Sequence, residues 1–205
     1  MKEIVNLTIK NLNRSNMAGY YVESTEELIS KIESLLTEGE LIGCGDSVTL
    51  DETGVLDFVR NGDYHFLDKH NPKLTSADKR EIYLQNFRTH TFLSGVNAVT
   101  QEGRLYFIDG NGSRVAPILY GPEQVLIVTG TNKIVANSEE AIQRIRQVAA
   151  PKDAKRLGKN TPCAELGRCI DCKSKERICN DFVCVAGQFV KDRIKVIFVE
   201  GDFGY

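Results

Sequence analysis

Nowhere in this chain does an apolar run approach the ~18 residues that a transmembrane helix needs, so no membrane insertion is expected. The opening stretch MKEIVNLTIKNLNRSNMAGYYV lacks the basic-then-apolar order of a secretory signal, and the chain reads as cytoplasmic. Neither sign of charge is in excess: 26 Lys and Arg stand against 28 Asp and Glu, a formal net charge of −2. Without a basic field, nucleic acid and anionic lipid are not expected as partners. The three histidines, His65, His70 and His90, are scattered and show no HExxH-type spacing. No GxSxG, Walker A or GxGxxG motif, internal repeat or low-complexity tract occurs. What remains, 205 residues with 41% hydrophobic and 26% charged, is enough for one good core.

Strand and helix patterns alternate along the chain. Residues 1–16 carry Ile4, Val5, Ile9 and Leu12 at loosely helical spacing, and AGYYVES reads as a short strand. Ser24 and Glu27 form a capping box ahead of a helix face of Leu28, Ile32, Leu35 and Leu36. ELIGCG reads as a buried strand feeding a tight loop, with short helices and the brief strand YHFLD after it. Thr75–Thr89 reads as a polar-faced helix with Ile82, Leu84 and Phe87 available for burial. TFLSG, NAVT, RLYFID and QVLIVTG are apolar β-rich runs. Asn137 and Glu140 cap a further helix with a face of Ile142, Ile145 and Val148, and Pro151 is expected to stop it. DFVCVAGQFV and RIKVIFVEG close the chain as two strands.

This alternation predicts one α/β domain over residues 1–205, with a largely parallel central sheet and helices on both faces. Residues 1–40 form its N-terminal helical and strand part, and 160–180 a Cys-rich segment within it. Ligands in such sheets sit where strand C-termini meet loops. Three glycine-bearing strand ends fit that rule: Gly43–Ser47, Ser94–Asn97 and Gly130–Lys133.

TPCAELGRCIDCKSKERIC packs four of six cysteines into one stretch. Disulfides, a structural zinc and an iron–sulfur cluster compete to explain it, and a reducing cytosol weakens the first. The spacing of Cys163, Cys169, Cys172 and Cys179 is C-x5-C-x2-C-x6-C, and their neighbours are too polar for a core segment. Four soft thiolates suit zinc or an Fe–S cluster. Structural zinc sites usually pair two knuckles, whereas here one C-x2-C is flanked by single cysteines, which favours [4Fe–4S] over zinc. The ferredoxin spacing is absent. Cys184, alternating with Phe182 and Ala186, and Cys44 read as small buried hydrophobes.

DGNGSR, from Asp109 to Arg114, could cradle a phosphate or carboxylate with backbone N–H groups and one guanidinium. The favoured reading is a tight hairpin turn, because Asn-Gly is the commonest type I′ signal. The KDAKR segment, Lys152–Arg156, reads as solvated surface.

FLSGVNAVTQEGRLYFIDGNGSRVAPILYGPEQVLIVTGTNKIV, then EEAIQRIRQVAAPKDAKRL, then TPC…GRCIDC…RIC and the closing FGY together resemble the LUD domain, the lactate-utilisation protein family. The resemblance implies a fold like that of the sugar-phosphate isomerase and CoA-transferase group (NagB/RpiA-like). It also implies a part in the oxidation of lactate to pyruvate, in electron transfer or regulation, beside partner subunits carrying Fe–S clusters. The alternative is an isomerase- or transferase-like enzyme, or a small-anion-binding protein for a phosphorylated or CoA-linked metabolite, with structural zinc. A homodimer is compatible with either. By fold analogy the pocket would be lined by Gly45, Ser47, Ser94, Asn97, Asp109, Asn111, Gly112, Arg114, Asn132 and Lys133. In the enzyme reading Arg114 and Lys133 grip the anion and Asp109 is an acid or base. One departure stands out: Cys44-Gly45-Asp46-Ser47 replaces the family's Gly-Gly-Ser, and the added carboxylate would repel an anionic ligand.

Overall fold

The structure, a computed structural model, describes all residues 1–205. In chain order its helices and strands begin with α1 (Lys2–Arg14), β1 (Ala18–Val22), α2 (Thr25–Glu33) and β2 (Leu41–Cys44). Then come α3 (Val48–Glu52), α4 (Val55–Asn61), β3 (His65–Phe66), α5 (Ser76–Gln85), β4 (Thr91–Gly95), β5 (Ala98–Thr100) and β6 (Leu105–Asp109). Next are α6 (Val115–Leu119), β7 (Gln124–Gly130), β8 (Ile134–Val135), α7 (Ser138–Arg144) and α8 (Ala150–Arg156). The last are α9 (Pro162–Leu166), β9 (Asp181–Val185) and β10 (Ile194–Val199). None of the helices is long and apolar enough to cross a membrane.

The six-stranded main sheet has the order β1-β10-β7-β4-β2-β3 and is parallel throughout. Its central strands are rich in apolar residues on both faces because both faces are covered. Val196 and Phe198 of β10, Val125 and Ile127 of β7 and Phe92 of β4 point into one core. Their neighbours Ile197, Val199, Leu126, Val128 and Leu93 point into the other. Leu28 and Ile32 of α2, Leu50 of α3 and Val55, Leu56 and Val59 of α4 complete the second core. Each such side chain, fully buried, contributes about 1.5–3 kcal/mol relative to exposure. Ser24 starts α2 as expected, accepting the Glu27 N–H at 3.2 Å.

The opposite face carries more than helices. Alongside α1 and α6 lies a separate four-stranded sheet, β8-β5-β6-β9, whose Val99, Leu105, Phe107 and Val185 share the first core. The two closing strands therefore part company. β9 pairs antiparallel with β6 at the edge of the small sheet, while β10 inserts between β1 and β7.

Four local expectations are corrected. Pro151 does not stop its helix: α7 runs through a π turn, Ile145–Ala149, directly into α8, where Pro151 occupies the first turn. A proline in the opening turn costs no hydrogen bond, and the wider π turn makes room for its ring. The buried face of α7 is consequently Ala141 and Ile145, with Ile142 exposed. Along Thr75–Thr89, α5 ends at Gln85 without burying any residue fully, and Leu84 on it and Phe87 in the 3-10 turn after it are both exposed. Cys184 and Phe182 face outward from the edge strand β9, and it is Val185 that is buried; Cys44, by contrast, is buried as expected.

The fourth correction bears on the site. Asp109–Arg114 is no hairpin but the link from β6 into α6. Asp109 Oδ2 accepts the backbone N–H groups of Arg114 (3.0 Å) and Val115 (3.1 Å), so the carboxylate caps the start of α6. Gly112 supplies the left-handed residue the link needs, at φ 76°.

Candidate functional site

β2, β4 and β7 are adjacent parallel strands whose ends step by two residues each: Cys44 faces Leu93, and Gly95 faces Val128. The three loops singled out from the sequence therefore emerge side by side at the C-terminal edge of the sheet, as the topology rule requires. They form one wall of an open cleft of about 460 Å³. The small sheet supplies another wall through Ile108, Asp109, Gly110 and Asn111.

Of the ten residues proposed from the sequence, Ser47, Asn97, Asp109, Asn111, Arg114 and Lys133 line the cleft. The other four stand behind it. Gly45 leaves room for Arg114, whose Cγ would lie 2.5 Å from a Cβ at that position. Ser94 is buried and donates to the Gly95 carbonyl at 3.0 Å. Asn132 accepts the Phe203 N–H at 3.5 Å, and Gly112 shapes the β6–α6 link. Asp109 is fully engaged: besides the two backbone N–H groups it accepts the Arg114 Nε at 2.9 Å. With its oxygens so occupied, and only 8% of its side chain exposed, it holds Arg114 in place. Arg114 in turn reaches Asn97 Oδ1 (2.9 Å) and the Ile108 carbonyl (2.8 Å).

Residues that the sequence left in the background complete the cleft: Thr49, Lys69, Tyr83, Asp153, Arg156, Lys159, Ile178 and Tyr205. Arg156, from the segment read as solvated surface, bonds Asp46 and Asp153, each at 2.7 Å. Burial alone would raise the Asp46 carboxyl, but Lys69 and Arg156 overcome it and hold it below the ordinary range. The carboxylate expected to repel an anion is thus neutralised in place. Lys69 is 8% exposed, with its Nζ 5.8 Å from the Tyr83 ring centroid, and burial lowers its ammonium. Asp46, the carboxylate that opposes this most strongly, is taken by Arg156.

Lys133 lies deeper still, 3% exposed, donating to Thr49 Oγ1 at 2.7 Å. Burial, then Arg144 and Arg114, bring its ammonium down to about 7. Between about 7 and the ordinary 10.5 the unfolded chain binds a proton that the folded chain does not, so stability from this group rises with pH. That contribution is complete above 10.5 and lost as pH falls through 7. Lys133→Met is therefore expected to gain stability over wild type at about pH 6 and to lose that advantage by about pH 10, as read by urea midpoints across the range.

The cysteine segment abuts this cleft. Cys163 sits in α9, and Cys169, Cys172 and Cys179 lie in the irregular chain beyond it, all half-buried as free thiols. Arg177 donates to the carbonyls of Cys172 (2.9 Å) and Cys179 (2.8 Å), while its Nε is buried without a partner in the field of those two thiols. No three of the thiols converge into a ligand group. Four thiols and an unpartnered guanidinium N–H are of the chemistry that a thiolate-bound metal or cluster takes, but they are not arranged as a cage. Ile178 lines the cleft, and Asn180 donates to the carbonyls of Asp109 and Gly110, both at 2.9 Å.

The family model described as LUD domain matches residues 5–199. The chain belongs to the LUD domain family. A crystal structure of a DUF162 family protein from Deinococcus radiodurans shares the fold of this LUD domain, with TM-score 0.56, 14% identity and 98% of each chain covered. More remote similarity extends to eIF2B beta from Chaetomium thermophilum (TM-score 0.39, 14% identity, 57% of this chain and 44% of that one). It extends also to ribose 5-phosphate isomerase from Plasmodium falciparum (TM-score 0.34, 12% identity, 56% and 53%). No curated protein matches the sequence.

Proposed function

We propose that this LUD domain serves a lactate-utilisation system by binding a small organic anion in the cleft at the C-terminal edge of its sheet. One observation carries the reading. Lys69 and Lys159 line the cleft with no carboxylate in salt-bridge contact, while its three aspartates are bound by Arg114 and Arg156. A concave, partly water-excluded site with spare cations favours an anion by strengthening each contact above its value in water. The cysteine segment belongs to the same reading as a thiolate site for a [4Fe–4S] cluster, or for zinc, held by Cys163, Cys169, Cys172 and Cys179. A cluster there would supply one-electron chemistry toward Fe–S-bearing partner subunits, with Arg177 as a nearby donor.

Calorimetric titration with lactate, pyruvate, phosphate, a sugar phosphate and a CoA ester tests the cleft. Saturable binding of a carboxylate is expected, weakening as salt is raised; a flat response to all five would remove the reading. Metal content is separable. Protein purified without oxygen is expected to carry iron and sulfide, or zinc, that Cys169→Ser/Cys172→Ser loses. Wild type containing none of the three would sink the thiolate site while leaving the cleft untouched.

A further inference from the structure

Lys133 is the most deeply buried amine of the cleft, 3% exposed, and its surroundings suit it poorly as a charge. Its Nζ is enclosed by Thr49 Oγ1 at 2.7 Å and by the Gly204 backbone, where even a Cβ would come within 3.0 Å of the nitrogen. Its field is cationic: Arg144, which donates to the Asn97 carbonyl at 2.6 Å, and Arg114 both act on it. The only carboxylate among the influences on it, Glu52, makes no salt bridge with it and accepts the Gly204 N–H at 2.6 Å. A buried amine crowded by other cations sheds its proton, and a neutral amine is a nucleophile. Gripping an anion does not require it, since Lys69 and Lys159 already stand without carboxylate partners on the same cleft.

We propose that Lys133 condenses with the carbonyl carbon of a 2-oxo acid whose carboxylate is held in the cleft, forming an imine. The inference rests on the anion-binding reading above and adds to it a substrate class and a covalent step. The Nζ lone pair adds to the carbonyl carbon while the carbonyl electron pair moves to oxygen, which takes up a proton. Nζ then gives up a proton, the resulting hydroxyl leaves as water with a second one, and the nitrogen lone pair closes the C=N bond. One water is released and nothing is oxidised or reduced. Thr49 is a positioning residue here: by accepting one N–H of the amine it fixes the direction of the nitrogen lone pair.

The test is reductive trapping. The intact protein is incubated with pyruvate, as a small 2-oxo acid, and sodium cyanoborohydride, then analysed by intact mass and peptide mapping. Wild type is expected to gain one reduced pyruvate adduct at Lys133. The exposed-lysine control Lys155→Met is expected to trap equally well, and Lys133→Met to trap none while still binding lactate by calorimetry. Thr49→Val is expected to trap several-fold more slowly. Pyruvate binding without an adduct at Lys133 would overturn the inference and leave the anion site standing. An adduct that persists undiminished in Lys133→Met would overturn it too. Failure of both pyruvate and lactate to bind would overturn the cleft reading together with it.

Discussion

Asp109→Ala is expected to lower the free energy of unfolding by about 3–5 kcal/mol, the usual range for removing one partner of a buried ion pair. The pair is well enclosed, with side-chain exposures of 8% for Asp109 and 11% for Arg114. The loss has two parts. The guanidinium keeps Asn97 Oδ1 and the Ile108 carbonyl but not its counter-charge, and the first N–H groups of α6 lose their cap. Denaturation in urea would show the midpoint moving with little change in slope. Asp109→Asn separates the two parts, since an amide oxygen can still cap the helix but carries no charge. It should fall between wild type and alanine. A loss under about 1 kcal/mol for alanine would mean that the pair behaves as a solvated surface bridge, and the cleft would then be wetter than its geometry indicates.

Lys69→Met is expected to cost the bound anion about 2 kcal/mol or more, roughly thirty-fold in Kd, as truncating a buried charged partner does. The methionine fills most of the space of the lysine stem, so the change isolates the charge. Arg156→Met should cost less, because Arg156 is 36% exposed and already committed to Asp46 and Asp153. It should also release Asp46, turning a neutralised carboxylate into a repulsive one, so its effect should grow as pH rises through the carboxylate range. Calorimetry of the anion that binds wild type, at two salt concentrations, checks both. Equal losses for the two variants would place the anion at the mouth of the cleft and not against Lys69.

The parts of this site that were legible in the sequence are those where the signal is local. A strand that ends in glycine and polar residues announces itself, and Gly43–Ser47, Ser94–Asn97 and Gly130–Lys133 end adjacent strands of one sheet. The remaining wall was not legible. Lys69, Tyr83, Arg156 and Tyr205 come from four distant segments, and each in its own neighbourhood resembles an ordinary surface residue. Only the closure of the sheet brings them together. Asn111-Gly112 misled for a related reason: the dipeptide fixes a left-handed turn but not the course of the chain beyond it, and Asp109 directs that course into α6 instead of back along β6. Cys184 misled because strand alternation reveals two faces without saying which one the edge strand β9 buries.

The place of β10 has a consequence in time. Its six residues are near the end of the described chain, yet they fill the gap between β1 and β7 and contribute to both cores. Until they arrive, β1 has no neighbour in the main sheet and one side of β7 is an open edge. Partnerships such as that between Tyr20 and Ile197 span most of the sequence, and contacts of such long range are slow to form. A ribosome-bound nascent chain lacking β10 would therefore expose two unpaired, hydrophobic strand edges, a state prone to sticking to its like. Synthesis and folding are consequently staggered in this protein. The α/β frame can assemble only after β10 has emerged, and protection of β7 amides from hydrogen exchange should appear together with that of β1, late and in one step.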